Sequence, residues 1–417
     1  MGWNGAKTAK EDVVAAKLTG NACVGQSGGP TVVINQSLVG VIEEACKHKE
    51  IRKILGARHG TKGMMIDDFA NLSRVSAKRL EAIAATPAAA LGSCRHKPTE
   101  ADCAVILDRL RQNDVRFYFY IGGDDSAKST DILAGMAKKA RYDMRLVHVP
   151  KTIDNNLMES DHAPGFGSAA RFVAAAVRGD DFDNKSIPGI KLDVIMGRDA
   201  GWLTAASMLA REKEGDGPHL IYLPERPFSV EKFLADVRKV YKKYGRAVIC
   251  VSEGIRDASG TLWAKRIAEE SEADVKDDAF GHFQLSGTGA LADYLTVRIK
   301  SGLADLGVSR VRGDTFGYLQ RSFPGFASAV DQKEAREVGR AAVRWACQGK
   351  SGSVAIKRKA GKAYKSYLAL VPLAKVAGKN LEVPGKYICP GGNNICPSFR
   401  DYCLPLVGGL PKTADLE

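Results

Sequence analysis

The segment Pro150-Lys151-Thr152-Ile153-Asp154-Asn155-Asn156 gathers an ammonium, a hydroxyl, a carboxylate and two amides. Phosphoryl transfer to an alcohol needs such a set: a base near the hydroxyl and cations around the transferring group. Asp154 can be the base and Lys151 can hold phosphate; a polar turn is the alternative reading. In Gly122-Gly123-Asp124-Asp125-Ser126 two carboxylates stand side by side. At an effective dielectric near 20, a like-charge pair about 4 Å apart costs roughly 4 kcal/mol. A magnesium ion carrying phosphate oxygens would relieve this. A helix N-cap accounts for one of the two acids and leaves the other unexplained. Consecutive glycines in Ser27-Gly28-Gly29 let backbone N–H groups approach a phosphate, although a tight turn would use them equally well. Neither GxxxxGK[ST] nor GxGxxG occurs.

Two more loops carry functional groups. Met196-Gly197-Arg198 offers a guanidinium for a phosphoryl oxygen, and Ser252-Glu253-Gly254 a carboxylate that can accept from sugar hydroxyls. Arg312 and Arg321 flank Phe316-Gly317-Tyr318-Leu319-Gln320, a set suited to a sugar phosphate. Solvated loop residues and surface ion pairs are the plainer readings of these positions.

The elements that must position these groups alternate. Ala22–Gly25, Ile51–Ala57, Phe117–Ile121, Arg145–Val149, Leu192–Met196, Leu220–Leu223 and Ala247–Val251 read as short apolar strands. Helical spacing marks Asn35–Lys47, Ala101–Asn113, Ser129–Ala140, Ser168–Arg178, Gly201–Arg211 and Val230–Tyr244. Such alternation predicts an α/β fold with parallel sheets covered on both faces. Ligands then bind beyond the carboxyl ends of the strands, where the loops above lie.

The 417 residues suffice for two domains. Hydrophobic residues make up 45% and charged ones 26%, ordinary for a soluble globular chain. The formal charge of +13 favours anionic partners without choosing among nucleic acid, lipid and phosphorylated small molecules. The chain has no nucleic-acid recognition motif or aromatic-interleaved basic patch. The basic stretch Lys357–Lys365 reads as a solvated hairpin tip. Nine cysteines show no CxxC pair. Cys389, Cys396 and Cys403 recur every seven residues, but free cytosolic thiols explain them more simply than a metal. With no apolar leader and no membrane-length apolar run, the expected location is the cytoplasm.

Together, and in this order from about Ala22 to Leu373, these segments resemble the phosphofructokinase family. The resemblance implies two interleaved three-layer α/β domains with the active site in the cleft between them. A larger domain would comprise residues 1–165 with about 317–345 and carry the pyrophosphate and magnesium loops. A smaller one, 166–316 with about 346–417, would contact the sugar phosphate. Two positions choose the donor. The ATP-using branch typically has glycine where this chain has Asp125 and again where it has Lys151, whereas the pyrophosphate branch has Asp and Lys. A carboxylate at 125 repels and crowds the place of a nucleotide α-phosphate, and Lys151 offers a point charge to a short anion.

The resemblance implies reversible, magnesium-dependent transfer from pyrophosphate to the 1-hydroxyl of fructose 6-phosphate, a step of glycolysis and gluconeogenesis. Asp154 looks like the base and Asp124 like the metal-organising carboxylate. Lys151 and Arg198 would stabilise the transferring group, and Thr152 would hydrogen-bond a phosphate. Gly29, Arg95 and Asp125 would face pyrophosphate; Met196, Gly197, Glu253, Tyr318 and Arg321 would hold the sugar phosphate. Arg312 matches an arginine that reaches the 6-phosphate from a neighbouring subunit, which implies a homo-oligomer (dimer or tetramer). Nucleic acid and membrane are not among the expected partners.

Departures from the family pattern are Asn156, where many members have a second Asp, and Tyr318 in place of a His. No match to a second neighbouring-subunit arginine occurs near Gly189, where Lys191 is the nearest cation. The competing readings are an ATP-dependent enzyme, the same chemistry on sedoheptulose 7-phosphate, and a catalytically silent regulatory subunit.

Overall fold

A computed structural model describes residues 18–270, 289–361 and 363–414. Two sheets organise them. The first contains strands β1 (Gly20–Gln26), β2 (Ile51–Ala57), β3 (Phe69–Asn71), β4 (Val115–Gly122) and β5 (Arg145–Pro150). The second contains β6 (Ile190–Ile195), β7 (Leu220–Tyr222), β8 (Ala247–Ser252) and β9 (Val311–Thr315). Strands β10 (Gly352–Arg358) and β11 (Ser366–Val371) return to the first, whose order is β11-β10-β5-β4-β1-β2-β3. Its five inner strands are parallel, and β3 and β11 close its edges antiparallel. The second, in the order β7-β8-β6-β9, is parallel throughout. The inner strands are apolar runs because helices cover both faces; Phe117, Tyr118, Phe119 and Tyr120 are each at most 2% exposed.

The return of β10 and β11 corrects the expected division, which assigned residues 346–417 to the second body. A parallel strand needs a crossover, and the helix Ala329–Cys347 provides the one that brings the chain back beside β5. This helix crosses Ile34–Ala45 at two glycines. A Cβ at Gly40 would lie 2.1 Å from the Arg336 carbonyl oxygen, and one at Gly339 2.2 Å from that of Ser37. Only the latter part of the basic stretch is the tip of the β10–β11 hairpin: Lys357 and Arg358 belong to β10 and, half-buried, pair with Glu159 and Asp161 instead of facing solvent; Lys362 lies outside the described residues. Cys389 and Cys396 sit on a second small hairpin with their sulfurs 3.0 Å apart, while Cys403 is buried in the helix Ser398–Val407.

Several elements fix the site loops. The Lys151 N–H donates to the Gly122 carbonyl at 2.9 Å, tying the loops after β4 and β5. Beneath them lies His148, fully buried and held to a pKa of about 4 by burial. Its Nε2–H donates to the Gly122 carbonyl at 2.9 Å, so Nδ1 accepts from the Ser353 hydroxyl at 2.8 Å. The long helix Phe166–Ser186 begins with orphan N–H groups. Asp331, from the distant helix Ala329–Cys347, accepts from Gly165 and Ser168 at 2.9 Å each. Thr152 forms a bridge to Gly165. The start of that helix and the segment after β5 are therefore one unit.

Candidate active site

A cavity of about 190 Å³ opens where the loops after β1, β4 and β5 converge. Gly28 and Gly29 form one wall. Lys151 is 3% exposed, and its ammonium reaches across to donate to the Gly29 carbonyl at 2.7 Å. A Cβ at Gly28 would come within 3.2 Å of that ammonium, and Gly28 itself has φ of +72°, a left-handed conformation that favours glycine. On the other side, a Cβ at Gly29 would come 2.9 Å from Cζ of Arg321. Two cations therefore press on the glycine turn, whose backbone leaves just enough room for them.

Asp124 and Asp125 occupy the opposite wall. They do not lie in a loop, as expected from the glycines before them. They are the first turn of the helix Asp124–Lys139, which starts five residues before the anticipated Ser129. The first turn of a helix suits carboxylates. Gly122 must be glycine there, because a Cβ would meet the Ser126 and Ser27 hydroxyls at 2.0 and 2.3 Å. Burial and the neighbouring charge of Asp125 raise the Asp124 carboxyl above the ordinary carboxylate range. Asp125 instead pairs with Lys97 at 3.2 Å across the cavity mouth. Lys97 is a cation that sequence reasoning missed, two residues beyond the anticipated Arg95; both line the cavity.

Asp154 lines the floor and is half-buried. Its carboxyl is raised by burial, against the pull of Arg321 and Lys151. Burial, with Arg321 second, brings Lys151 down to about 7. The Thr152 hydroxyl accepts from the Asp154 N–H at 3.1 Å, which leaves its proton for an oxygen in the cavity. Three carboxylates and several cations thus converge, an arrangement in which Asp154 can accept a proton and the cations can hold a polyanion.

The residues expected to hold the sugar phosphate form an adjoining group. The Gly197 N–H donates to Glu253 at 3.4 Å and the Met196 N–H to Gln320 at 3.4 Å. Met196 and Glu253 are buried. Tyr318 is half exposed, with the Arg321 guanidinium 4.7 Å from its ring centre. Arg321, expected on the sugar phosphate alone, lines the same cavity as Lys151 and Asp154, and its charge is felt by Arg95, Asp154 and Glu253. It therefore stands at the junction of the two halves.

Arg198 and Arg312 do not line the cavity. Arg198 is half exposed beyond β6; Arg312 is exposed on the edge strand β9. Lys191, the register partner of Arg312, makes ion pairs with Asp180, Asp193 and Asp314. Gln320 and His148 were not anticipated as site-forming residues. Gln320 lies inside a quoted loop segment but carried no signal of its own. His148 is a lone polar residue in an apolar strand.

Comparison with protein families matches residues 21–304 to the phosphofructokinase family. The chain is 48% identical over 400 residues to the pyrophosphate–fructose 6-phosphate 1-phosphotransferase of Rhodospirillum rubrum, covering 95% of this chain and 97% of that protein. It is 39% identical over 418 residues to the Xanthomonas campestris protein of the same name, covering 95% and 96%. The crystal structure of a pyrophosphate-dependent phosphofructokinase from Marinobacter aquaeolei superposes with a TM-score of 0.81 at 33% identity, covering 95% of this chain and 94% of that one. The likeness runs along almost the whole chain, and the cavity described above, with its paired acids, clustered cations and glycine turn, stands within it: this protein belongs to the phosphofructokinase family, in its pyrophosphate-dependent branch.

Proposed function

We propose that this protein transfers a phosphoryl group reversibly from pyrophosphate to the 1-hydroxyl of fructose 6-phosphate, giving fructose 1,6-bisphosphate and phosphate. The observation that carries this reading is the filling of the donor cavity by Lys151, bonded to Gly29, and by the Asp125–Lys97 pair at its mouth. These groups take the space a nucleotide would need and leave room for a short polyanion. Asp154 accepts the proton of the sugar hydroxyl. Lys151, Arg95 and Arg321 offset the charge of pyrophosphate, and Arg198, beyond β6 and outside the cavity, is assigned to the transferring group by the family resemblance. Thr152 donates to a phosphate oxygen. Met196, Gly197, Glu253 and Tyr318 hold the sugar phosphate, with Arg321 between sugar and donor. The test is parallel turnover with pyrophosphate and with ATP; turnover with ATP alone would overturn the donor assignment.

Magnesium fits this cavity. Asp124 is a carboxyl raised by burial and by a second acid, and one or two carboxylates plus substrate phosphates are the usual magnesium environment. The clusters of three metal-ligating side chains among the described residues lie elsewhere, so Asp124 and Asp125 would share the ion with pyrophosphate. The ion would neutralise phosphate charge and orient the leaving group.

The Lys151 ammonium, held to about 7 when the cavity is empty of anions, regains its proton against pyrophosphate. Binding at pH 8 therefore takes up a proton at this residue. Calorimetry in buffers of different ionisation enthalpy is expected to show greater proton uptake for the native protein than for Lys151→Met. Equal uptake in both would refute the assignment.

A homo-oligomer with shared sites accounts for Arg312, which is exposed on β9 and outside its own cavity. Mixing inactive Arg312→Ala and Asp154→Asn subunits is expected to restore about a quarter of native activity, because hybrids pair intact residues from different chains. No recovery on subunit exchange would mean that each site is self-contained. Among the described residues no helix is long and apolar enough to cross a membrane. A cytoplasmic setting suits the nine free thiols.

A further inference from the structure

Asn155 directly follows Asp154 and has φ of +55°, a left-handed conformation that side-chain-bearing residues seldom adopt. Its own carboxamide holds it there. Oδ1 accepts from the Ala163 N–H at 2.9 Å, and Nδ2 donates to the Tyr402 hydroxyl oxygen at 2.8 Å. The Tyr402 hydroxyl donates onward to the Asp161 carbonyl at 2.7 Å. The network has one direction only: the Ala163 N–H fixes which end of the amide faces Tyr402, so that hydroxyl must accept from Asn155 and has its proton free for Asp161. Asn155 is 1% exposed and Tyr402 8%, so water does not replace either bond readily.

Tyr402 is itself anchored. It lies in the helix Ser398–Val407, in the C-terminal segment that follows the last strand. Arg358 donates to its carbonyl at 3.0 Å and lies 4.8 Å from its ring centre, and the Trp202 ring stands 5.4 Å away. A second tether comes from the same segment. The Leu381 N–H donates to the Asn156 carbonyl at 2.8 Å, and the Asn156 amide to Asn380 at 2.6 Å. Both residues after Asp154 are therefore gripped by chain more than two hundred residues away in sequence.

We propose that Tyr402 and Asn155 are positioning residues for the Asp154 carboxylate, and that the C-terminal segment is in this way part of the catalytic apparatus. The inference rests on the reading of Asp154 as the base. Turning Asn155 toward negative φ would rotate the peptide that joins it to Asp154 and carry the carboxylate off its line to the acceptor hydroxyl. A displacement of about 1 Å at a reacting group costs on the order of a hundredfold in rate.

The test compares Tyr402→Phe, Asn155→Gly and the double variant for kcat, for KM and for thermal midpoint. Glycine tolerates positive φ, so Asn155→Gly removes the tethers without forcing the backbone and remains informative should Tyr402→Phe fold poorly. Each single variant is expected to lower kcat by about 10- to 100-fold with KM for both substrates within about threefold. The double variant is expected to match the weaker single, since both changes cut one chain of contacts. In an Asp154→Asn background, Tyr402→Phe should have no further effect on the residual rate. Native kcat in both single variants, or effects that multiply, would overturn the positioning role. Near-native kcat in Asp154→Asn alone would instead refute the base assignment, so the two failures are distinguishable.

Discussion

Asp154→Asn is expected to lower kcat by about 10³-fold, within the range of roughly 10² to 10⁴ that a positioned base contributes. The amide is isosteric, and the bond that shapes the loop, from the Asp154 N–H to the Thr152 hydroxyl, comes from the backbone and persists. The proton acceptor alone is lost. Binding should not weaken, because removing a negative charge beside Arg321 and Lys151 leaves their field stronger at the donor. Titration calorimetry with each substrate should therefore give native or tighter Kd values. The native pH profile should carry the signature of the same group. The Asp154 carboxyl is raised from 3.8 by burial, and a base works only when ionised. Hence kcat/KM for sugar phosphorylation falls as pH drops through that raised value, and the limb should vanish in Asp154→Asn. A variant within tenfold of native kcat would assign the proton to another group.

The second large effect concerns the donor. Asp125→Gly/Lys151→Gly is expected to lower kcat/KM for pyrophosphate by about 10²- to 10³-fold, the scale of losing a charge-assisted contact to the transferring group. It should also bring measurable turnover with ATP. Lys151 contributes twice in the native protein, by charge and by occupying the space above the glycine turn, where its ammonium bonds Gly29. Removing the Asp125 carboxylate ends its ion pair with Lys97 at the mouth and takes away a negative charge that would face the extra phosphate of a nucleotide. Each single variant should lose pyrophosphate activity and gain little with ATP, because either group alone obstructs. An unchanged donor ratio in the double variant would place specificity elsewhere.

Much of this site was legible in the sequence because its parts are local. The glycine pair after β1, the acid pair after β4 and the cluster after β5 each lie within a few residues of a strand end, and strands buried on both faces announce themselves as apolar runs. The sequence misplaced the start of the helix Asp124–Lys139 because glycine and aspartate are poor helix formers, although acids are favoured in a first turn. Strand β9 was not anticipated: Val-Arg-Gly-Asp-Thr carries little apolar signal, as befits an edge. Ser328 and Asp331 have the spacing of a local cap, yet the Asp331 carboxylate serves Gly165 and Ser168 on another helix. Nothing in composition reveals such a partner. Nor does anything near Asn155 point to Tyr402, 247 positions away. Local chemistry could be read; the packing that aims it depends on contacts between distant segments.

The late return of β10 to the first sheet bears on how the chain is made. Synthesis proceeds from the N-terminus, and domains tend to fold as their segments emerge. Here β5 has no partner on its outer side until Gly352 and Ser353 arrive to pair with Val147 and His148. The helix Ile34–Ala45 likewise waits for Gly339 before its close crossing can form. Throughout most of translation the first sheet therefore presents an open parallel edge and an uncovered apolar face, both sticky surfaces. The second sheet, by contrast, is complete once β9 has emerged. Its apolar face is nevertheless completed only by Phe399, Tyr402 and Leu406 of the C-terminal helix, so both sheets wait for the last part of the chain, and apolar surface stays open until nearly the last segment has left the ribosome.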